Sequence, residues 1–137
     1  MTPEPSRGLR VLVVEDEAVN RALLRAVLRS SLNARLGPIE LIEAETLAAA
    51  RAAVRDREPD VILLDVRLPD GNGLDLAAEL PAAGAMRPKV VVMSASVLPS
   101  DRDAAKRAGT DAFLGKPFMP ADLIALLQRL LSGPAPA

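Results

Sequence analysis

The sequence contains no cysteine, no histidine, no tryptophan and no tyrosine, and phenylalanine occurs only twice. Without cysteine there are no disulfides and no thiol chemistry. Without histidine there is no imidazole catalysis. Because cysteine is absent as well, the usual zinc sites are excluded. Any chemistry of this chain must therefore use carboxylate, hydroxyl, amine or guanidinium groups.

The chain also lacks an excess of charge of either sign, because 17 basic and 18 acidic side chains leave a net charge of −1. Such a balance gives no general attraction to DNA or to an anionic membrane, so direct binding to either is not expected. No apolar run reaches the roughly 18 residues of a membrane span. The first ten residues, MTPEPSRGLR, lack the apolar region of a signal peptide. A cytoplasmic location is expected.

The composition is sufficient for one globular domain, since half of the 137 residues are apolar. We expect residues 9 to 132 to form this domain. Residues 1 to 8 and 133 to 137 contain proline, glycine and alanine without apolar periodicity, and they are predicted to be flexible tails. No internal repeat and no second domain are indicated.

Short apolar runs alternate with longer segments of helical periodicity, which predicts an α/β fold with a parallel sheet. Most of the runs lack polar alternation, so helices should cover both faces of the strands. The predicted strands are residues 9–14, 39–43, 61–64, 90–93 and 112–114. The predicted helices are residues 18–36, 47–57, 73–80 and 100–109, and a last one marked by Leu123, Leu127 and Leu130. Thr46 and Ser100 are predicted helix caps, and Gly37, Pro38 and Pro59 predicted helix stops.

Polar side chains follow four of the predicted strands. The stretch VLVVEDE ends the first strand on Glu15 and Asp16; Asp65, Ser94 and Lys116 follow the third, fourth and fifth strands. Because the carboxyl ends of parallel strands meet at one edge, we expect these side chains to converge there. A helix cap, a turn residue or a solvated lysine would explain each position alone. Together they indicate a functional site.

The clustered acids require a counter-charge. At an effective dielectric constant near 20, each close pair of carboxylates repels by about 3 kcal/mol, so Glu15, Asp16 and Asp65 need a cation or a proton. Mg²⁺ suits them best, because it accepts one or two carboxylates, keeps waters and then binds a phosphoryl oxygen. The metal, Lys116 and Ser94 together would stabilise a phosphoryl group. Asp65 is the candidate nucleophile, because it follows an apolar strand and is distant in sequence from the acidic pair.

Four motifs, in this order and spacing, resemble the receiver domain of two-component response regulators. They are VLVVEDE, VILLDVRLPDGNGL, VVVMSA and AGTDAFLGKPF. The resemblance extends from about residue 10 to residue 131. It implies a flavodoxin-like (βα)5 doubly wound sandwich with a five-stranded parallel sheet of order 2-1-3-4-5. It also implies a signalling phosphoacceptor that catalyses only its own phosphorylation and dephosphorylation, rather than an enzyme.

The resemblance assigns a role to each acidic residue. Asp65 would accept a phosphoryl group from a phosphohistidine on a sensor histidine kinase or a histidine phosphotransfer protein. Asp16 would ligate Mg²⁺ directly, with Glu15 acting alongside it, often through water. Asp65 and the backbone carbonyl of Arg67 would complete the protein ligands.

The resemblance also assigns the remaining site residues. Ser94 and Lys116 would each contact a phosphoryl oxygen, and the peptide bond from Lys116 to Pro117 would be cis. Movement of Ser94 toward the phosphate would let Phe113 turn inward. A downstream protein or domain would then bind the face built from the fourth helix, the fifth strand and the fifth helix, roughly residues 98 to 131.

Three other classes of protein share parts of this pattern. A phosphatase of the haloacid-dehalogenase type also uses a strand-terminal aspartate and Mg²⁺, but it generally needs a second aspartate where this sequence has Arg67. A nucleotide-binding or flavin-binding domain would need a glycine-rich loop after the first strand, and no such loop follows it here. A pseudo-receiver would lack Asp65, Lys116 or the acidic pair, and all are present. The sequence leaves open a stand-alone regulator, a relay intermediate or a receiver from a hybrid kinase.

Overall fold

The computed structural model describes residues 8–29, 38–81, 87–95 and 98–131. Five parallel strands form one sheet in the order β2-β1-β3-β4-β5. The strands are β1 (Leu9–Val14), β2 (Ile39–Ala44), β3 (Val61–Asp65), β4 (Lys89–Ser94) and β5 (Ala112–Gly115). The helices of the described ranges are α1 (Ala18–Val27), α2 (Leu47–Arg57), α3 (Leu74–Glu79), α4 (Pro99–Arg107) and α5 (Pro120–Leu131). The predicted fold class and strand order are confirmed.

The central strands are apolar throughout because helices cover both faces of the sheet. On one face, Val11 and Leu63 pack with Leu24 of α1 and Leu127 of α5. The opposite face, which includes Leu12, packs against α2 and α3. Each fully buried Leu or Val side chain contributes about 1.5 to 3 kcal/mol relative to an exposed one. This two-sided core fixes the position of the strand ends at which the predicted site lies.

The predicted limits of α2 are confirmed by its capping contacts. The Thr46 hydroxyl accepts a hydrogen bond of 3.0 Å from the Ala49 N–H. Glu58 follows the last turn in the left-handed region, with φ 49°, and Pro59 prevents the helix from continuing. Local sequence therefore determines both ends of this helix.

Two other predicted helix limits have different outcomes. The prediction of Ser100 as the cap of α4 is wrong, because α4 begins at Pro99 and its N-cap is Leu98. Proline suits the first helical position, where its fixed φ and missing N–H carry no penalty. The predicted end of the first helix at residue 36 lies outside the described residues, as do residues 1–7 and 133–137 of the predicted tails.

A short hairpin after β3 was not predicted. It pairs Arg67–Leu68 with Gly71–Asn72 in antiparallel register. At its turn, the Asp70 carboxylate accepts hydrogen bonds from the N–H groups of Leu47, at 2.7 Å, and Ala48, at 3.0 Å. These N–H groups belong to the first turn of α2, so Asp70 ties the loop after β3 to the start of that helix.

The contact of Asp70 with α2 predicts a pH-dependent contribution to stability. The two N–H groups, Leu47 first, lower the pKa of Asp70 below its ordinary value. An aspartate whose pKa is lower in the folded state than in the unfolded state stabilises the fold when it is ionised. This contribution is complete above the pKa of the unfolded state, about 3.9, and is lost as the pH falls through the pKa of the folded state. Asp70→Asn is therefore expected to lower the urea midpoint at pH 7, with a difference from wild type that shrinks below about pH 4.

Far-UV circular dichroism would follow this unfolding, because the sequence has no tryptophan. Asp103→Asn is the matched control, since Asp103 is exposed on α4, and it should leave the midpoint within experimental error. A difference between Asp70→Asn and wild type that stays constant from pH 7 to pH 3 would contradict the role of the ionised carboxylate.

None of the described helices combines the length and the apolar character that crossing a bilayer requires.

Candidate functional site

The carboxyl ends of β1, β3, β4 and β5 meet at one edge of the sheet, and the predicted side chains gather there. A cavity of about 600 Å³ opens at this edge. Its lining residues are Asp16, Glu17, Asn20, Asp65, Arg67, Ser94, Ala95 and Lys116. Glu15 lies next to the cavity as a wholly buried side chain, with 0% of its surface exposed.

Three carboxylates of this edge form one cluster. Oxygen atoms of Glu15, Asp16 and Asp65 all lie within 4.8 Å of one another. Asp65 is 8% exposed, whereas Asp16 is open to solvent. The Lys116 Nζ atom is 2.9 Å from Glu15 Oε1 and 3.5 Å from Asp65 Oδ2. The ammonium group therefore bridges two of the acids, one from β3 and one from the end of β1.

The charges of this cluster shift one another's pKa values. Burial raises the pKa of Asp65, and the Glu15 carboxylate raises it further against the opposing charge of Lys116. Burial also acts to raise the pKa of Glu15, but hydrogen bonds from Lys116 and from the Glu17 N–H outweigh it, so this pKa is lowered. Burial acts to lower the pKa of Lys116, yet Glu15 and Asp65 raise it above its ordinary value. Lys116 is thus a fully charged counter-ion to the acids at neutral pH.

A close backbone approach positions Asp65. The Gly73 N–H donates to the Val66 carbonyl at 2.7 Å. A Cβ atom at Gly73 would lie 2.1 Å from the Asp65 carbonyl oxygen, so only glycine fits at this position. The Arg67 N–H lies 3.4 Å from Asp65 Oδ1, and Arg67 borders the cavity. The role of the Arg67 carbonyl as a metal ligand remains a prediction.

Backbone contacts also hold the ends of β4 and β5 together. The Lys116 N–H donates to the Ser94 carbonyl at 2.7 Å, and the peptide bond from Lys116 to Pro117 is cis. Ser94 is 9% exposed and faces the same cavity as Asp65. The two residues predicted to contact a phosphoryl group, Ser94 and Lys116, therefore line the same cavity as Asp65.

Phe113 lies on the same face of the sheet as Ser94. It pairs with Val92, two residues before Ser94 along β4, and residues two apart on a strand share a face. The Arg102 guanidinium carbon of α4 lies 4.9 Å from the centre of the Phe113 ring, a cation–π distance. The inward turn of Phe113 remains a prediction.

Sequence reasoning missed the contact of Arg21 with the acidic segment. The Arg21 Nη1 atom donates to the carbonyl oxygens of Glu15 and Asp16, each at 3.0 Å. The available signal was its spacing, because an arginine one turn into a helix that follows an acidic segment can reach back to that segment. Exposed helical arginines are common, so this signal is weak by itself.

Comparison with known proteins shows which family the chain is similar to. A family model of response regulator receiver domains matches residues 11–128. The chain is 39% identical over 118 residues to the KDP operon transcriptional regulatory protein KdpE of Escherichia coli, covering 86% of this chain and 49% of KdpE. It is 31% identical over 130 residues to the phosphate regulon transcriptional regulatory protein PhoB of Pseudomonas aeruginosa, covering 94% of this chain and 54% of PhoB.

A solved structure shares both fold and sequence with this chain. It is the receiver domain of the sensor histidine kinase PA1611 from Pseudomonas aeruginosa, with a magnesium ion coordinated in its active site cleft. The TM-score is 0.78 at 30% identity, over 92% of this chain and 99% of that domain. The present chain spans about half the length of KdpE and PhoB. From these matches, the chain belongs to the family of response regulator receiver domains, the phosphoacceptor modules of two-component signalling.

Proposed function

We propose that Asp65 accepts a phosphoryl group from the phosphohistidine of a sensor histidine kinase or a histidine phosphotransfer protein, with Mg²⁺ bound at the carboxylate cluster. One observation supports this proposal above the others. Carboxylate oxygens from Glu15, Asp16 and Asp65 lie within 4.8 Å of one another, and the Lys116 ammonium contacts two of these residues. The sequence has no histidine, so the phosphohistidine lies outside these 137 residues.

The donor set of the cluster fits Mg²⁺. This ion prefers oxygen ligands, and three carboxylates supply such oxygens within 4.8 Å of one another. Glu15, Asp16, Asp65 and the Arg67 carbonyl would hold the ion. When bound, it neutralises negative charge on the phosphoryl oxygens. The PA1611 receiver domain, which is similar to this chain, has magnesium in its active site cleft.

The chain's own residues then supply the remaining chemistry. An Asp65 carboxylate oxygen attacks phosphorus and forms the new P–O bond, while the P–N bond to the donor imidazole breaks. The imidazole nitrogen keeps the bonding electron pair and takes a proton from solvent. Lys116 and the Ser94 hydroxyl contact the phosphoryl oxygens and stabilise their charge. The chain is in this proposal a phosphoacceptor that turns over only its own phosphoryl group, and not an enzyme with a separate substrate.

An apolar surface beside the cavity supports contact with the phosphoryl donor. Val19 and Leu23 of α1 are 80% and 55% exposed, and Met119, just before α5, is 67% exposed. Leu23 also lines a second cavity of about 280 Å³ that reaches Glu15 and Lys116. Large apolar side chains exposed next to a functional cleft are typical of protein contact sites. A partner seated here would present its phosphohistidine to Asp65.

The output surface in this proposal is the α4–β5–α5 face. Phosphorylation would draw Ser94 toward the phosphate and repack Phe113 beneath Arg102, which lies over its ring. Leu98, at the start of α4, is 62% exposed and belongs to the same face. A local charge change at Asp65 would in this way alter the affinity of the face for a downstream protein or domain.

The test is intact-mass spectrometry of the wild-type protein after incubation with acetyl phosphate. With Mg²⁺ present, a gain of about 80 Da is expected, which is the mass of one phosphoryl group. With EDTA in place of Mg²⁺, the gain should disappear. A pull-down with and without beryllofluoride, a mimic of the phosphoryl group, would then identify what the α4–β5–α5 face binds. Equal labelling with Mg²⁺ and with EDTA would refute the metal-assisted mechanism.

A further inference from the structure

Arg21 contacts the backbone of every residue in the acidic segment 15–17. Its Nη1 atom donates to the carbonyl oxygens of Glu15 and Asp16, each at 3.0 Å. Its own backbone N–H donates to the Glu17 carbonyl, also at 3.0 Å. The side chain is only 14% exposed, so the guanidinium group is packed against the segment that presents the acidic pair.

The guanidinium group of Arg21 also contacts acidic side chains at the end of β2. Arg21 Nε lies 3.6 Å from Glu43 Oε1, and Nη1 lies 3.7 Å from Glu45 Oε1. Glu43 is held in turn by Arg25, whose Nε and Nη2 atoms donate to its two oxygens at 2.9 and 2.8 Å. Arg21 therefore connects the acidic segment to a neighbouring strand that does not contribute to the carboxylate cluster.

The acidic segment needs such a connection because it leaves the sheet at this point. The Glu15 N–H still donates to the Ala44 carbonyl of β2 at 3.0 Å, but Asp16 lies beyond the strand and is exposed. Repulsion between adjacent carboxylates would favour turning them apart. The backbone conformation of Glu15 and Asp16 determines whether both side chains point toward Asp65.

We infer that Arg21 is a positioning residue for the metal site, which holds the backbone of Glu15 and Asp16 so that their carboxylates face Asp65. This inference rests on the proposed function, because it assumes that the cluster binds a dication. Groups that orient metal ligands change metal affinity by about 10- to 100-fold when they are removed. The sign of the effect is diagnostic. A purely electrostatic role of Arg21 would repel the ion, so its loss would tighten binding.

The experiment compares Arg21→Met with Arg25→Met. Both substitutions remove one positive charge from α1 and the contacts of that arginine with Glu43, but of the two arginines it is Arg21 that contacts the acidic segment. Mn²⁺ is the probe, and its binding to the unphosphorylated protein is measured by water-proton relaxation. We expect Arg21→Met to weaken Mn²⁺ binding by about 10-fold. Arg25→Met should bind within about twofold of wild type, because no ligand is repositioned.

Amide hydrogen exchange in the metal-free protein supplies a second readout. The amides of residues 16 and 17 should exchange faster in Arg21→Met than in Arg25→Met. Arg21→Lys paired with Arg25→Lys repeats the comparison if the Met variant does not fold. A lysine keeps the charge but loses the fixed geometry of the guanidinium group. Arg21→Lys should therefore weaken Mn²⁺ binding less than Arg21→Met does, and Arg25→Lys should not weaken it.

Each outcome separates the positioning role from the proposed function. Unchanged or tighter Mn²⁺ binding by Arg21→Met, or equal weakening in the Arg21 and Arg25 variants, would overturn the positioning role while leaving the metal site intact. Failure of the wild-type protein to bind Mn²⁺ would instead overturn the proposed metal site, and the positioning role with it.

Discussion

Asp65→Asn is expected to abolish the mass gain of about 80 Da that acetyl phosphate and Mg²⁺ give with the wild-type protein. An amide has nearly the same shape as a carboxylate, but its oxygen is a poor nucleophile toward phosphorus. The substitution also removes one carboxylate from the cluster that is proposed to bind Mg²⁺. The loss of labelling should therefore be complete rather than partial, as intact-mass spectrometry would show.

This loss should occur without loss of stability. Burial and the nearby Glu15 carboxylate raise the pKa of Asp65. An acid with a raised folded-state pKa opposes folding once it is ionised, so at pH 7 the Asp65 charge is unfavourable to the metal-free fold. Asp65→Asn removes this charge, and its urea midpoint in EDTA should equal or exceed that of wild type. A variant that is stable but not labelled separates chemistry from folding.

Asp75→Asn is a matched control for this substitution, because Asp75 is an exposed acid on α3. It should be labelled to the same extent as wild type. Labelling of Asp65→Asn at the wild-type level would place the phosphoacceptor at another side chain.

Lys116→Met is expected to destabilise the metal-free protein and to prevent the phosphorylation-dependent response. Glu15 is wholly buried and accepts a hydrogen bond of 2.9 Å from Lys116. Without the ammonium group, two carboxylates remain together without a counter-ion. Removal of one partner from a buried ion pair costs about 3 to 5 kcal/mol, and the partial exposure of Lys116 reduces this to about 2 kcal/mol.

Added Mg²⁺ should restore part of the lost stability, because a dication replaces the missing charge and binds only the folded cluster. Urea unfolding in EDTA and in excess Mg²⁺, followed by circular dichroism, would measure both effects. A pull-down with beryllofluoride would measure the response. Lys89→Met is the control, because Lys89 is exposed at the start of β4. Equal stability of Lys116→Met and wild type in EDTA would contradict the counter-ion role of Lys116.

The sheet was predictable from sequence because its strands are buried on both faces. An apolar run such as residues 61–64 has few alternatives to a central parallel strand when helical segments flank it. The strand-end rule then located the candidate site, since it needs only the parallel arrangement and not the loop conformations. Thr46 and Pro59 were equally informative, because caps and prolines act through bonds to their immediate neighbours.

Features that depend on distant contacts were not predictable. The hairpin strands after β3 have two residues each, which is too short for any periodicity, and the role of Asp70 depends on an α2 helix that begins 23 residues earlier in sequence. Arg21 was missed for a similar reason, because its packing depends on Glu43 of a neighbouring strand. Ser100 was wrongly predicted to be a helix cap because two signals for a helix start, Pro99 and Ser100, are adjacent. The helix begins at the proline.

The arrangement of the two phenylalanines provides a built-in pair of spectroscopic reporters. Phe113 lies under Arg102 on the α4 side of the sheet, whereas Phe118 packs in the core cluster shared with α1 and α5. Because these are the sole aromatic side chains of the sequence, biosynthetic incorporation of fluorophenylalanine would introduce one ¹⁹F nucleus on each side. Their two resonances would report separately on the environment beneath α4 and on the core between α1 and α5, without any engineered label.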